Sequence, residues 1–515
     1  MTDRRKRAGV LAATTLALAM MTIDVSIVRV ALPTIQNDLE LSDATQQWIV
    51  NAYLLTMGTL AIAGGRAGDR FGRRRVFLVG VLIFVGCSIL GGVAGSGTVL
   101  VAARAGQGVG AAIMTAGNIA LVADAFSGES LGKAMGVLVG VGTVGISVGA
   151  LVGGFLIEAV GWRSIFFINV PVSAIVLALV VAYVPERRAE VLPDLDVAGL
   201  VALVAGMTAL TLALVQLPVW PPAATAAMLL AASLALAVWL RIERRAREPL
   251  VDLRVLRGPM LAGNFVAFCV PFVLSGFSVL LAIYLQVVLD YDALETGALM
   301  LPLTIPGLIG SLASGWLTAK LGARFVVTSG MLLAGAGVFA SGVSMSSSGE
   351  YLAMLPGLIV FAFGGGVALP PMTATIMANA EIEERGMVSG VYNTARLTGA
   401  TLGLAAMGAT LGLLEGDRIS DEQANGKLTS AEATHVHNLL AGGESLGALD
   451  SLGPKQVEQT EQELGVVFDS AFATTLKLSS LVAVAGAIVA FFVVPRLRAP
   501  PHPQASMVHS ALAEA

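Results

Sequence analysis

Apolar residues run along the chain in continuous stretches of about 20, separated by short polar segments. A helix of that length crosses the hydrocarbon core of a bilayer, whereas barrel strands would alternate apolar and polar positions over about ten residues. The pattern therefore predicts an all-α polytopic membrane protein with fourteen transmembrane helices. We place these spans at residues 8–33, 48–65, 76–96, 98–120, 133–158, 164–184, 195–217, 221–240, 261–287, 294–316, 325–346, 351–376, 386–414 and 478–498.

The composition supports a membrane protein and narrows its chemistry. Of 515 residues, 13% are charged, against about a quarter in soluble domains. Cys87 and Cys269 lie in separate spans and the four histidines lie in polar segments, so neither a disulfide framework nor a Cys/His metal site is expected. No phosphate-binding loop or catalytic constellation is recognisable. We expect no metal, no cofactor, no nucleic-acid partner and no enzymatic activity, and we expect the proton gradient to supply the energy.

The basic residues predict the orientation of the chain. They cluster after span 2, at 66–75, and after span 8, at 241–257, whereas the loop after span 1 carries three acidic residues. Loops rich in Lys and Arg stay in the cytoplasm, so we expect both termini there, including the tail at 499–515. The polar loop at 415–475 then lies outside, and no chemistry is assigned to it. The Ala-, Gly-, Val- and Arg-rich usage suggests the inner membrane of a bacterium.

An internal repeat predicts the architecture. The segment Gly65 to Arg74 follows span 2, and a similar segment from Gly315 to Arg324 follows span 10, at an offset of 250. The same offset joins Gly140, Gly149, Ala150 and Gly153 of span 5 to Gly390, Gly399, Ala400 and Gly403 of span 13. Two parallel repeats place a cavity at their interface, and rocking of one half against the other gives alternating access.

This repeat requires a 6 + 2 + 6 arrangement. Residues 1–184 form the N-terminal six-helix bundle, 185–260 the two extra helices with their linkers, and 261–498 the C-terminal bundle. The last of these includes the outer loop.

Four motifs resemble those of the major facilitator superfamily, and specifically of its 14-span drug:proton antiporters. Gly65 to Arg74, GRAGDRFGRR, is similar to the signature loop G-x-L-A-D-R-x-G-R-K. Asp24 to Pro33, DVSIVRVALP, is similar to the first-span motif D-x-x-I-V-N-V-A-L-P. Arg104 to Gly108 resembles R-x-x-Q-G, and Gly145 to Gly154 resembles the glycine-rich antiporter motif. The resemblance implies the major facilitator fold and proton-coupled efflux of drugs.

The signature loop predicts a cytoplasmic latch between the halves. Asp69 and Arg73 are four residues apart and can share a helical face, and Asp124 can supply a second carboxylate to the arginine. The latch set is Gly65, Asp69, Arg70, Gly72, Arg73 and Asp124. A purely topogenic basic loop is the alternative; it accounts for the arginines but not for Asp69.

A glycine stripe on span 5 predicts close helix packing. Its members recur every four or five residues, a spacing that lets a second helix approach. The stripe comprises Gly136, Gly140, Gly145, Gly149, Gly153 and, within the antiporter motif, Gly154. Ordinary small-residue packing is the alternative to a specific antiporter function. The family often has proline where this chain has Ala150, which alters the expected local bend.

Charged side chains inside the spans are costly and are usually retained for function. Asp24 is the deep carboxylate, so it is the candidate for proton coupling, for the counter-charge of a cationic substrate, or for both. A structural ion pair is the alternative. Arg29 stands where the family motif has Asn, about 140° around the helix from Asp24, and we expect it to extend outward.

Other polar and aromatic residues complete the predicted cavity. Arg104 and Gln107 form a polar face on span 4, with Asn393 and Arg396 as counterparts on span 13; a structural role for the arginines is the alternative. Possible substrate aromatics are Trp48, Tyr53, Phe268, Phe272 and Tyr284. Each of these has lipid contact or core packing as its alternative.

The sequence thus predicts a proton-coupled antiporter that exports drug-like, amphipathic and often cationic compounds as a monomer. A dedicated exporter of one endogenous metabolite or lipid uses the same fold and stays open. A membrane receptor that binds without transporting is the third possibility.

Overall fold

The structure is a computed structural model. It describes residues 3–186, 196–216, 220–246, 258–289, 293–348, 351–424 and 454–494, with the single positions 249, 251, 291, 429 and 433. The described residues are helical or lie in turns and loops, and no strand occurs among them.

The helices follow one another as an all-α chain. They are α1 (Asp3–Asp38), α2 (Asp43–Phe71), α3 (Arg73–Gly92), α4 (Gly97–Ala125), α5 (Gly128–Val160), α6 (Ser164–Phe167), α7 (Asn169–Tyr183), α8 (Val197–Val215), α9 (Pro222–Glu243), α10 (Gly258–Ile283), α11 (Ala293–Leu299), α12 (Ile305–Leu321), α13 (Ala323–Ser348), α14 (Tyr351–Asn379), α15 (Arg385–Ala424) and α16 (Pro454–Val493). A π-helical turn covers Tyr284–Val288, and 3₁₀ turns cover Leu301–Leu303 and Ile382–Glu384.

Local sequence accounts for several helix ends. Ser42 and Ser96 precede α2 and α4, and each side chain accepts a hydrogen bond from a backbone N–H of the first turn. Gly72 separates α2 from α3 with φ 101°, a left-handed conformation that favours glycine.

All but one of the predicted spans coincide with a helix that could cross a membrane. Thirteen helical segments in the described part of the chain are long and apolar enough to cross a membrane. Each coincides with one predicted span. The remaining span, 133–158, falls within α5, a helix of 33 residues. The total of fourteen stays a prediction.

One predicted span is interrupted, and another begins earlier than predicted. The predicted span 294–316 is broken near Pro302, where a 3₁₀ turn separates α11 from α12, because proline cannot donate a helical hydrogen bond. The last candidate span begins at Gly465 rather than 478. Asp469 and Lys477 interrupt its apolar run, but Phe468 and Phe472 bury one helical face.

The outer loop is also shorter than predicted. Helix α15 continues to Ala424 and α16 begins at Pro454, so both helices extend into the predicted loop 415–475. The tail at 499–515 lies outside the described residues.

The two halves repeat one packing pattern. In the first, α1 packs against α4, α5 and α7, and α4 also packs against α2 and α3. In the second, α10 packs against α14, α15 and α16, and α14 also packs against α12 and α13. The extra helices α8 and α9 pack together, and α8 contacts α2 of one half and α15 of the other.

Close helix crossings join the halves in symmetric pairs. A Cβ atom added at Gly140 on α5 would lie 3.4 Å from the Cβ of Ser311 on α12. One added at Gly390 on α15 would lie 2.7 Å from the carbonyl oxygen of Ala61 on α2. The two contacts are related by the 250-residue offset at both partners, so the repeat in sequence is a repeat of interhalf packing.

Candidate functional site

The latch residues lie at the basic end, which we define as the end of the bundle that carries 66–75 and Arg385. Arg73 donates from Nε and Nη2 to Oδ1 of Asp69 over 3.0 and 2.7 Å, and from Nη1 to Oδ2 of Asp124 over 2.6 Å. These three side chains are at most 8% exposed. Charge-assisted hydrogen bonds of this kind are about twice as strong as neutral ones, so two carboxylates hold the arginine firmly.

The latch also joins the two halves through the first turn of α15. The backbone N–H groups of Gly386 and Met387 donate to Oδ1 and Oδ2 of Asp69 over 3.0 and 2.7 Å. Asp69 therefore caps the amino terminus of a helix in the opposite half, where the helix dipole favours an anion. Separating the halves at this end breaks those bonds.

Two latch members were missed in the sequence. Arg385 donates from Nη1 to Oδ1 of Asp124 over 3.1 Å, and Arg73 donates to the carbonyl oxygen of Ile382. Arg385 directly follows the acidic segment 381–384, so this stretch of sequence is acidic on balance and does not indicate a basic latch residue. Its position at the start of a long span was the available signal.

The remaining latch candidates serve packing and chain direction. A Cβ at Gly65 would lie 2.0 Å from the carbonyl oxygen of Gly386, so only glycine permits this approach of α2 to α15. Gly72 provides the turn into α3. The guanidinium of Arg70 lies 5.5 Å from the ring centroid of Phe71.

Asp24 lies inside the N-terminal half, and both of its oxygens accept hydrogen bonds. Arg104 donates from Nη1 to Oδ2 over 2.5 Å. Asn169 and Gln107 donate to Oδ1 over 2.9 and 3.3 Å. Asp24 is 1% exposed, so in this conformation a substrate does not reach it. The proposed direct counter-charge role does not fit this geometry.

Arg104 connects three helices of the same half. Its Nη1 also donates to Oε1 of Gln107 over 2.9 Å, its Nε donates to the carbonyl oxygen of Ile49 over 3.2 Å, and its guanidinium lies 4.3 Å from the ring centroid of Tyr53. The ion pair of Arg104 with Asp24 therefore links α1, α2 and α4.

Asn169 and Ser88 are members of this cluster that sequence reasoning missed. Asn169 donates to Oγ of Ser88 over 3.0 Å, and Ser88 donates to the carbonyl oxygen of Phe166 over 2.8 Å. Both are polar residues within apolar stretches, which was the signal available.

The glycine stripe divides between two partners. A Cβ at Gly145, Gly149 or Gly153 would lie 2.1, 2.8 or 2.6 Å from an atom of α1, so these glycines pack within their own half. The earlier members, Gly136 and Gly140, pack across to α12. The last member, Gly154, has nothing within 4 Å of an added Cβ. It does not share the packing face, because it lies about 100° around the helix from Gly153. The side chain of Ala150 lies outside the described residues.

Asn393 lies on the face of α15 that turns toward the other half, and Arg396 lies about 60° around the helix from it. Asn393 donates from Nδ2 to the carbonyl oxygen of Thr115 over 3.3 Å, across the interface. Arg396, one turn further from the basic end, is half-buried. Its guanidinium lies 6.0 Å from the ring centroid of Tyr392, and its Nε is buried without a hydrogen-bond partner.

Two of the five aromatic candidates are core residues. Tyr53 is fully buried beneath Arg104. Tyr284 is also fully buried and stacks on Phe468 with ring centroids 5.8 Å apart. In this conformation neither side chain is accessible to a substrate, and a sequence does not distinguish apolar surroundings inside a half from those beside a cavity.

The other three aromatic candidates are partly accessible. Phe268 and Phe272 are half-buried with ring centroids 5.7 Å apart on α10. Trp48 is half-buried near the start of the second span.

Known proteins resemble this chain in sequence. The profile of the Major Facilitator Superfamily matches residues 14–404. The multidrug resistance protein Stp of Mycobacterium tuberculosis is 33% identical over 405 residues, covering 78% of this chain and 75% of that protein. The tetracenomycin C resistance and export protein of Streptomyces glaucescens is 33% identical over 486 residues, covering 93% and 89%.

A solved structure shows the same fold. The proton:xylose symporter XylE superposes with a TM-score of 0.64 at 13% identity, covering 96% of this chain and 97% of that one. The fold and the family that the motifs predict are confirmed. The chain belongs to the major facilitator superfamily, and the relatives that it matches are drug-resistance and antibiotic-export proteins of that superfamily.

Proposed function

We propose that the chain is a proton-coupled antiporter that exports drug-like amphipathic compounds by alternating access. It acts as a monomer in the cytoplasmic membrane, with the basic end and both termini in the cytoplasm, in keeping with the retention of Lys- and Arg-rich loops. It uses the proton gradient, needs no cofactor and does not alter its substrate chemically.

The observation that carries this proposal is the buried pair of Asp24 and Arg104. Protonation of Asp24 removes one of two balanced charges, and a buried cation left without its partner is strongly unfavourable. The pair therefore favours one arrangement of α1 against α4 when ionised and another when protonated. Binding of one proton is thereby linked to the conformation of the N-terminal half.

The latch supports the other part of the cycle. In this conformation the latch seals the basic end, so a substrate between the halves faces the opposite side of the membrane. Opening the basic end requires Asp69 to leave the amino terminus of α15. The cycle alternates between these two states, releasing substrate outside and a proton inside.

The test measures transport in proteoliposomes under an imposed pH gradient. Tetracenomycin C is the probe, because a relative that aligns over 93% of this chain is named for its export. We expect Asp24→Asn to abolish gradient-driven transport. The control is Asp38→Asn, the same change on the same helix at a carboxylate that is 46% exposed, and it should transport normally. Wild-type transport by Asp24→Asn would overturn the proposal.

A dedicated exporter of a single compound is the second candidate. It is favoured by the same relative, whose name specifies one antibiotic, whereas the relative Stp is named for multidrug resistance. Competition among unrelated compounds for transport separates the two. A receptor that binds without transporting would show no flux under any gradient.

A further inference from the structure

Two arginines lie between the halves, beyond the contact that closes their interface. The side-chain amide of Asn393 meets the backbone of Thr115 there, and Thr115 also donates to the sulfur of Met21 over 3.7 Å. Arg396 is three residues further from the basic end than Asn393, and Arg29 is eight residues further than Met21. At 1.5 Å per residue these are rises of about 4.5 and 12 Å. We call the space between the halves at the level of these two arginines the chamber.

Arg396 faces the chamber because of its position on α15. Asn393 points to α4, and the hydroxyl of Tyr392 lies 2.6 Å from that of Thr373 on α14. Arg396 lies on the arc between them, about 60° from Asn393 and 40° from Tyr392. Helices α4 and α14 belong to different halves and contact each other, so this arc of α15 lies at the interface between the halves.

Arg29 faces the chamber from the opposite side. Asp24 marks the side of α1 that contacts α4 and α7, and Ile27 contacts Gly153 of α5. Arg29 lies about 140° from Asp24 and 160° from Ile27, turned away from α7 and from the outer part of α5. Its side chain is exposed, and it lies close enough to Arg104 for their charges to repel. It therefore lies on a side of α1 that is near α4.

Among the described residues, neither arginine has an acidic partner. Throughout the described ranges, every ion pair involves other residues. The one deep carboxylate nearby, Asp24, is buried and already paired with Arg104. The chamber therefore presents two positive charges that no carboxylate of the described residues neutralises, and such charges attract an anion.

We infer that the transported compounds are organic anions, with an apolar body and carboxylate or phenolate oxygens that pair with Arg29, with Arg396 or with both. Guanidinium groups bind such oxygens through charge-assisted hydrogen bonds. This inference rests on the proposed function and narrows its substrate class. It replaces the cationic substrates that the sequence suggested, because Asp24 does not face the chamber.

The test compares two dyes that share a three-ring xanthene body, the anion fluorescein and the cation rhodamine 6G. Binding to the purified full-length protein is followed by fluorescence polarisation. We expect fluorescein to bind more tightly than rhodamine 6G. Arg29→Gln and Arg396→Gln should each weaken fluorescein binding about 10- to 100-fold, the usual effect of losing a charge-assisted hydrogen bond. Arg241→Gln, an exposed position on α9, is the matched control and should bind as wild type.

Tighter binding of rhodamine 6G, no binding of either dye, or fluorescein binding unchanged in both glutamine variants would overturn the inference. Transport measurements distinguish a failure of this inference from a failure of the proposed function. Gradient-driven export of rhodamine 6G that depends on Asp24 would support antiport and refute anionic substrates. Arginine-dependent binding of fluorescein without any gradient-driven flux would support an anionic ligand and refute antiport.

Discussion

Arg104 donates to Asp24 over 2.5 Å, and the two side chains are 1% and 0% exposed. The pair lies inside one half, with α1, α4 and α7 around it, rather than in the space between the halves. Under the proposed function, proton binding and substrate binding therefore fall on different residues, and a proton would act on substrate through helix movement and not through competition for one carboxylate.

Removing only the arginine of this pair should destabilise the protein strongly. Arg104→Met leaves Asp24 buried without its counter-charge, which costs about 3–5 kcal/mol. The double variant Asp24→Asn with Arg104→Met should recover most of that loss, because no buried charge remains. Thermal unfolding in detergent of the wild type, both single variants and the double variant measures the coupling. Additive losses would contradict a direct pair.

Weakening the latch should open the basic end. Asp69→Asn removes a charge that caps α15 and pairs with Arg73, at a cost of about 2 kcal/mol to the closed state. That corresponds to a shift of about 30-fold in the ratio of closed to open protein. Distances between spin labels at the basic ends of α2 and α15 report the ratio.

The control for the latch is Glu129→Gln. It breaks an ion pair with Lys133 at the same end, but these side chains are 50% and 58% exposed, so little energy is lost. An equal shift in both variants would show that the closed state does not depend on Asp69.

Two glycines on α5 should respond differently to one added methyl group. Gly149→Ala places a Cβ 2.8 Å from the carbonyl oxygen of Ile23, and overpacking of this kind costs about 1–3 kcal/mol. Gly154→Ala meets nothing within 4 Å and should be neutral or slightly stabilising, since alanine favours helix. Thermal unfolding of the two variants decides; equal destabilisation would contradict the division of the stripe.

Gly390→Ala should change the conformational balance more than the stability of either half. Its Cβ would lie 2.7 Å from the carbonyl oxygen of Ala61, a contact that exists only while the halves meet. We expect the spin-label distances at the basic end to lengthen, as in Asp69→Asn, with an unfolding temperature close to wild type. A large loss of stability without a change in distance would show that the contact belongs to folding instead.

Local features of the sequence predicted much of this protein. Continuous apolar runs predicted membrane helices because burial in lipid requires them. Two glycine motifs at one offset predicted the repeated halves, and the four-residue spacing of Asp69 and Arg73 predicted their shared face. Four short motifs predicted the superfamily. All of these depend on residues that are close in the chain or on a repeat that the chain displays directly.

The tertiary structure decided which faces meet. Hydropathy does not distinguish a side chain in lipid from one in a core, since lipid tails are as apolar as leucine; Tyr284 was misplaced for that reason. The partners Asn169 of Asp24 and Arg385 of Asp124 come from distant helices, and helix crossing and register bring them together. The sequence by itself determined that charges stand inside the spans. Only packing decided that Asp24 is neutralised within one half, while Arg29 and Arg396 have no acidic partner among the described residues.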